Sequence, residues 1–232
     1  MIGRTKHKIV VINGSGTGNS GATGQTLVGV VDGAHSAGAE VETFLLTNLT
    51  INPCTGCQTC QKTGQCIFDD DYQKVRDAMS EADGFVLASP NYVCSVSAQV
   101  KAVLDRSFSV LIHCQAMRGK YGAAVLVSGG PQYEQVEEYM LQVIGLLGCW
   151  NVGSLVAASD QMDFPDERAK VLSRADDMGR RLAEAIKTRQ RFPEQEEQLE
   201  MMFEMMRWLI GSKKDIWNYE YEYWHKHWGI DG

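Results

Sequence analysis

The chain has 232 residues, of which 44% are hydrophobic and 22% charged, as in a globular protein of one domain or one domain with an extension. Acidic residues outnumber basic ones by 29 to 22, and the net charge of −7 argues against nucleic acid or an anionic membrane as a partner. No apolar run has the length of a signal peptide or a membrane span, so we expect a cytoplasmic protein.

The first predicted strand, residues 9–12, is a continuous apolar run that leads into a loop of glycine, serine and threonine. A helix is predicted over residues 25–37, so the loop ends at a helix N-terminus, where backbone N–H groups favour a bound phosphate. The loop lacks the lysine of an ATP-hydrolysing P-loop, and its Gly-x-Gly-x-x-Gly match at 16–21 comes late after the strand. We expect a single phosphate monoester here; the alternative is a glycine-rich turn without a ligand.

The following elements alternate between strand and helix. Strands are predicted at 41–46, 84–88, 123–128 and 152–157, and helices at 69–82, 97–114, 132–147 and 166–188. A long loop, 48–70, separates the second strand from the second helix. Five strands interleaved with five helices predict an α/β fold, a doubly wound five-stranded parallel sheet of flavodoxin-like order. Ligands of such sheets bind beyond the carboxyl ends of the strands, which directs attention to the loops after strands one, three and four.

Two of these loops have features suited to a flat ligand. Pro90 follows the third strand, where it should end the ladder and free the next N–H groups, and Tyr92 offers an aromatic face. Gly129 and Gly130 follow the fourth strand and allow the backbone to approach a ligand closely. Each loop alone is compatible with an ordinary connection, but three such loops at one edge of a sheet favour a ligand site.

Four short motifs, in this order, carry a resemblance to a family: Gly14-Ser15, residues 88–92, residues 97–101 with 104–106, and residues 128–130. Together they resemble the NAD(P)H-dependent FMN reductases of flavodoxin-like fold, and within them the iron–sulfur flavoproteins, over roughly residues 8–188. The family often continues Gly-Ser with Pro-Arg, where this chain has Gly16-Thr17, so backbone N–H groups and hydroxyls must meet more of the phosphate charge.

The resemblance implies which residues hold FMN. Those implied at the phosphate are Ser15, Thr17, Gln25 and Thr26. Those implied along the isoalloxazine ring are Pro90, Asn91, Tyr92, Val93, Ser128, Gly129 and Gly130.

The most specific pattern in the sequence is a run of four cysteines, Cys54, Cys57, Cys60 and Cys66. Four thiolates so close along a chain can supply one sulfur to each iron of a [4Fe–4S] cluster, and the spacing resembles that of the iron–sulfur flavoproteins. Zinc is less suited, because it usually takes paired Cys-x2-Cys knuckles separated by a longer loop, and reduced cysteines without metal are the third alternative. The remaining cysteines, at 94, 114 and 149, are expected to be buried structural thiols.

The expected domain organisation is an FMN-binding domain over residues 1–190, which includes the cysteine-rich loop 48–70, and a C-terminal extension over 191–232. Apolar residues cover nearly all sides of a predicted helix that begins near Leu199, and an aromatic-rich stretch follows it. Such a surface should be buried, on the same domain or on another subunit. We expect subunit packing in a homodimer or homotetramer.

These features together predict an FMN-dependent oxidoreductase. Electrons would come from NAD(P)H or a carrier protein and pass to an acceptor, with or without the [4Fe–4S] cluster; the cofactor supplies the chemistry. The alternatives are a non-enzymatic electron-carrier flavoprotein, a cluster-free NAD(P)H:FMN or quinone reductase, and a binding module that keeps the fold without the flavin.

Overall fold

A computed structural model of the chain describes residues 6–230, and its central feature is one parallel sheet with the strand order β2-β1-β3-β4-β5. The predicted flavodoxin-like α/β fold is confirmed. The strands are β1 Lys8–Asn13, β2 Glu40–Leu45, β3 Gly84–Pro90, β4 Tyr121–Ser128 and β5 Trp150–Ala158. The order changes direction beside β1, so the loops after β1 and β3 leave a crevice at the carboxyl edge of the sheet.

Helices cover both faces of the sheet, as its apolar strands require. Their bounds are α1 Ala22–Ser36, α2 Thr59–Thr63, α3 Tyr72–Glu81, α4 Ala98–Arg106, α5 Glu134–Leu146, α6 Pro165–Thr188, α7 Pro193–Ser212 and α8 Asn218–Trp228. Alternate residues of β1 face opposite sides: Ile9 packs with α1 and α6, and Val10 packs with α3, α4 and α5. Glycines let α1 and α6 touch, because a Cβ on Gly33 would lie 2.0 Å from the backbone oxygen of Asp176.

Three local predictions were wrong. The loop 48–70 is interrupted by α2, a single helical turn. The helix predicted over 97–114 is α-helical only to Arg106 and continues as a π-helix over Phe108–His113. The β3 ladder does not stop before Pro90, which pairs with Val127, and the next N–H is not free, since Asn91 N donates to Val127 O at 2.7 Å.

The C-terminal helices pack on the domain through one apolar side. At its start, α7 covers the edge of β5, because the Gln195 side chain accepts from Asn151 N at 2.8 Å and donates to Asn151 O at 2.9 Å. Further along, the two helices enclose a small core of Phe203, Met206, Ile210, Trp224 and Ile230. None of the helices in residues 6–230 has the length and apolar character needed to cross a membrane.

Candidate functional site

The loop after β1 is built around Asn13, the last residue of that strand. The Asn13 side chain is fully buried; its Oδ1 accepts from Ser15 N at 2.9 Å, and its Nδ2 donates to Gly18 O at 3.4 Å. The Ser15 and Thr17 hydroxyls lie 3.0 Å apart on the inside of the resulting turn. Two of the four side chains predicted at the phosphate, Ser15 and Thr17, therefore lie side by side in a turn organised by Asn13, a residue that the sequence reasoning missed.

The N-terminus of α1 meets this loop without a capping side chain. Gly21 occupies the N-cap position, and no acidic residue lies in the first turn. The first N–H groups of the helix therefore lack the partner that a serine or aspartate cap would provide, and the helix dipole adds positive charge at the same place. This arrangement suits a phosphate and requires no arginine.

The two other residues predicted at the phosphate have side chains that are already bonded. The Gln25 amide donates to Ser20 O at 2.8 Å, so it braces the loop. The Thr26 side chain is fully buried and its hydroxyl donates to Ala22 O at 2.8 Å, inside α1. Ser15 and Thr17 are thus the members of the predicted set whose hydroxyls face the turn.

The loops after β3 and β4, predicted to hold the ring, are joined to each other. Asn91 Nδ2 donates to Ser128 Oγ at 3.0 Å, and Ser128 Oγ donates in turn to Gly130 O at 2.8 Å. Asn91 Oδ1 is buried without a hydrogen-bond partner. A Cβ on Gly130 would meet nothing within 4 Å, so there is open space beside this backbone. An unpaired carbonyl beside open backbone fits a planar ligand that carries N–H donors.

A tight turn over residues 92–95 projects from the first ring loop. The backbones of Tyr92 and Ser95 bond to each other twice, at 2.9 and 3.1 Å, and the two residues between them have φ of 51° and 55°. A positive φ is rare for a β-branched residue such as Val93, whose side chain is 98% exposed. Cys94 is also exposed, with its Sγ 3.2 Å from Gln132 Oε1, so the prediction that it is a buried structural thiol was wrong, whereas Cys114 and Cys149 are buried as predicted.

The four cysteines of the 54–66 run line one cavity of about 60 Å³ beside α4 and the π-helix. Cys54 and Cys57 are exposed on the outer part of the loop, and Cys60 and Cys66 are half-buried. Among the residues that the structure describes, no three His, Cys, Asp or Glu side chains are close enough to hold a metal ion. The cysteines thus share the cavity without converging on one point.

The two ends of the cysteine loop are clamped together at the base of this cavity. Asp70 Oδ2 accepts from both the backbone and the side-chain nitrogen of Asn52, each at 2.9 Å. Arg106, the last residue of α4, donates through Nη1 to Asp70 Oδ2 at 2.6 Å and to Asn52 O at 3.1 Å. Arg76 holds the far side by donating to Gly64 O at 2.8 Å. The sequence reasoning missed these residues; an arginine within the 104–106 motif was the available signal for Arg106.

Several hydrogen-bond donors face this cavity without a partner. Nε and Nη2 of Arg106 and Oγ of Ser109 are buried without a nitrogen or oxygen partner, and both residues line the cavity, where they act on the sulfurs of Cys66 and Cys60. Such donors suit sulfur anions, so the residues present fit an iron–sulfur cluster.

Burial and neighbouring charges also shift the pKa values at this site. Burial raises the pKa of the Cys60 thiol, against the effect of the Ser109 hydroxyl, whereas the Thr59 hydroxyl and backbone lower the pKa of Cys57. For Arg106, burial acts to lower the pKa, but the bond to Asp70 and the attraction of Cys66 outweigh it, so the pKa lies above its ordinary value. The guanidinium therefore stays charged beside the cysteines.

Comparisons with known proteins place the chain in a family. The family model described as NADPH-dependent FMN reductase matches residues 7–163. An iron–sulfur flavoprotein of Archaeoglobus fulgidus is 32% identical over 192 residues, which cover 82% of this chain and 85% of that protein. An iron–sulfur flavoprotein of Methanosarcina thermophila is 33% identical over 116 residues, 50% of this chain and 61% of that protein.

Solved structures share the fold at lower identity. A flavone reductase superposes with a TM-score of 0.64 at 21% identity, covering 78% of this chain and 63% of its own. The apo form of an NADH:FMN oxidoreductase gives a TM-score of 0.57 at 22% identity, with coverage of 75% and 89%. An NAD(P)H:quinone oxidoreductase from Methanothermobacter marburgensis gives 0.60 at 15% identity, with coverage of 76% and 98%.

Proposed function

The chain belongs to the NADPH-dependent FMN reductase family of flavin-dependent oxidoreductases, and from this we propose that it binds FMN at the crevice beside β1 and a [4Fe–4S] cluster at its four-cysteine cavity. In this proposal it passes electrons from NAD(P)H or a protein donor to an acceptor. FMN would supply hydride and one-electron chemistry, and the cluster would transfer single electrons. The protein supplies binding, orientation and charge.

For FMN, the chain's part is to hold a phosphate at one end and a ring at the other. The uncapped N-terminus of α1 and the hydroxyls of Ser15 and Thr17 would neutralise the phosphate. The linked loops at Asn91 and Ser128 would fix the ring, with the unpaired Asn91 Oδ1 as an acceptor for a flavin N–H. Because Thr47 Oγ1 donates to Gly16 O at 3.0 Å, the phosphate loop also touches the start of the cysteine loop.

The observation that carries the iron–sulfur part of the proposal is that one cavity collects all four cysteines of the 54–66 run. A family relative that is 32% identical over most of both chains is named an iron–sulfur flavoprotein. The fit is chemical as well as spatial, because Arg106 and Ser109 present unpaired donors to the sulfur-lined space. The outer cysteines lie on an irregular loop, so metal binding would order that loop as it forms the site.

The test is composition and colour of protein purified without oxygen. We expect bound FMN, about four irons and about four sulfides per chain. Cys57→Ser should lower the iron content and leave FMN bound. Cys149→Ala is the matched control, since this buried thiol lies outside the cavity and donates to Met117 O, so iron should be unchanged.

Each result separates the alternatives. Protein with FMN but without iron is a cluster-free flavin reductase, and protein with zinc has a structural metal site. Protein that stays colourless after FMN is added and free ligand removed is a binding module with the fold alone. If FMN and cluster are both present, steady-state NAD(P)H oxidation with an acceptor distinguishes an enzyme from an electron carrier, which would be reduced once without turnover.

A further inference from the structure

Arg106 is buried in the wall of the cysteine cavity, and only one of its three nitrogens has an oxygen acceptor. Only 1% of its side chain is exposed, and its guanidinium lies over the Tyr72 ring at 4.4 Å and near the Phe68 ring at 5.3 Å. Of its three nitrogens, Nη1 carries both hydrogen bonds, to Asp70 and Asn52. Nε and Nη2 are buried and have no nitrogen or oxygen acceptor, and the Cys66 sulfur is close enough to help keep the guanidinium charged.

A clamp on the loop ends does not explain this arrangement. A lysine could supply one charged donor to a carboxylate and a carbonyl, whereas arginine adds further N–H groups in a fixed planar fork. The rings of Tyr72 and Phe68 stabilise the positive charge but accept no in-plane N–H bond. Buried N–H groups without an acceptor are costly, so a structural role alone gives no reason to keep two such nitrogens here.

The acceptor that acts on this guanidinium is the Cys66 sulfur. Arg106 and the four cysteines line the same cavity, and the nearby Cys66 is among the groups that keep the guanidinium charged. A [4Fe–4S] cluster with four thiolates is an anion that gains another negative charge on reduction. A fixed positive charge and N–H bonds to its sulfurs stabilise the reduced form more than the oxidised form, which raises the reduction potential.

We propose that Arg106 is a positioning residue that sets the potential of the cluster by donating from Nε and Nη2 to the sulfur of Cys66 or to a cluster sulfide. Asp70 fixes the position of the Arg106 guanidinium by accepting a hydrogen bond from Nη1. The inference rests on the proposed function, because it requires a cluster at the four cysteines.

The experiment is a redox titration of anaerobically purified holoprotein, followed in the visible spectrum and by electron paramagnetic resonance. Arg106→Gln removes the charge and the fork, and we expect the ratio of reduced to oxidised cluster at fixed potential to fall at least tenfold, a shift of about −59 mV for one electron. Arg106→Lys keeps the charge but loses the fork, so its shift should be smaller and in the same direction. Asp70→Asn removes a negative charge and should shift the potential the other way.

Arg76→Gln is the matched control. Arg76 also lines the cavity and clamps the same loop at Gly64, but it is paired with Asp77 and all three of its nitrogens are bonded. We expect this variant to change the ratio by less than threefold. A structural role for Arg106 predicts instead that all these variants lose stability or iron together, with no opposite shifts in potential.

The outcomes distinguish this inference from the proposed function. Wild-type protein without iron overturns both. If the wild-type protein holds a cluster, but Arg106→Gln changes the ratio of reduced to oxidised cluster by less than threefold, only the role of Arg106 is overturned. If Arg106→Gln cannot hold a cluster, the test rests on Arg106→Lys and Asp70→Asn, since both keep a positive charge at position 106. If the cluster potentials of these two variants shift in the same direction, the inference is contradicted.

Discussion

Gly24→Ala should abolish tight FMN binding although the substituted residue need not touch the flavin. Gly24 lies in the first turn of α1, and the phosphate loop is packed against it: a Cβ there would be 2.3 Å from Gly18 O and 2.5 Å from Asn19 Cα. Backbone atoms cannot yield as the end of a flexible side chain does. The loop must therefore move away from the helix N-terminus, which separates the donors proposed to bind the phosphate.

The size of the effect follows from the bonds at stake. A hydrogen bond to a charged group contributes about 1.5–3 kcal/mol, so losing two such bonds weakens FMN binding by roughly 10²- to 10⁴-fold. The helix itself should not suffer, since alanine is a better helix former than glycine by about 1 kcal/mol. Gly145→Ala in α5 is the matched control, because a Cβ there meets nothing within 4 Å and gains the same propensity.

The assay is fluorescence titration with FMN and with riboflavin, which has the same ring and no phosphate. Gly24→Ala should weaken FMN binding strongly and riboflavin binding little, and Gly145→Ala should change neither. If Gly24→Ala weakens both ligands equally, or leaves FMN binding intact, the phosphate is not held at this loop and the reasoning from Ser15 and Thr17 is refuted.

Three further predictions concern packing and charge. Trp224 is fully buried, so Trp224→Ala should lower the free energy of unfolding, measured in urea, by about 3–5 kcal/mol. Trp208 is 73% exposed, so Trp208→Ala should change this free energy by less than about 0.5 kcal/mol. Equal losses in the two variants would contradict the packing of α8. The pKa of Asp70 is lowered by hydrogen bonds that outweigh the opposing effect of burial. Its stabilisation is therefore full above the unfolded pKa near 3.9 and is lost as the pH falls, so the urea-midpoint advantage of wild type over Asp70→Asn should shrink in acid. Met201, Met205 and Trp208 form an exposed stripe on α7; replacing all three with serine should reduce the mass measured by light scattering if it is a subunit contact, and an unchanged mass would exclude that.

The fold could be predicted because its signals are local and repeated. The central strands β1, β3 and β4 are apolar runs, strands alternate with helices along the chain, and this alternation leaves few topologies. The errors fell where tertiary contacts override local pattern. A helix that looked continuous to Cys114 changes to π-helical bonding, so that Cys114 N donates to Ser109 O, five residues back. Cys94 follows Val93 in sequence, beside apolar residues, but a turn with positive φ exposes it.

The candidate site could be predicted only as a set of loops. Sequence spacing brought out the cysteines and the ring loops, since these residues are close along the chain or follow successive strands. Asn13 and Arg106 were missed because their roles depend on partners that only the fold brings near: Asn13 on the turn it buries, and Arg106 on Asn52, which is 54 residues away. A buried arginine has no distinctive pattern in a single sequence.

The C-terminal helices link the extension to the cysteine site, which no sequence pattern indicated. The Tyr219 ring lies on the cysteine loop so closely that a Cβ on Gly64 would be 2.4 Å from it. Glu220 is fully buried, and its carboxylate lies 3.0 Å from His113 Nδ1, in the π-helix that also borders the cavity. These contacts come from residues beyond the 7–163 match to the family model. The inner side of α8 therefore supports the loop that carries the cysteines, whereas the outer side of α7 leaves Met201, Met205 and Trp208 exposed. Truncating the extension should therefore disturb both the cysteine loop and any subunit contact, and a truncated chain cannot separate these two roles. Substitutions confined to the inner side of α8 or to the outer side of α7 can separate them.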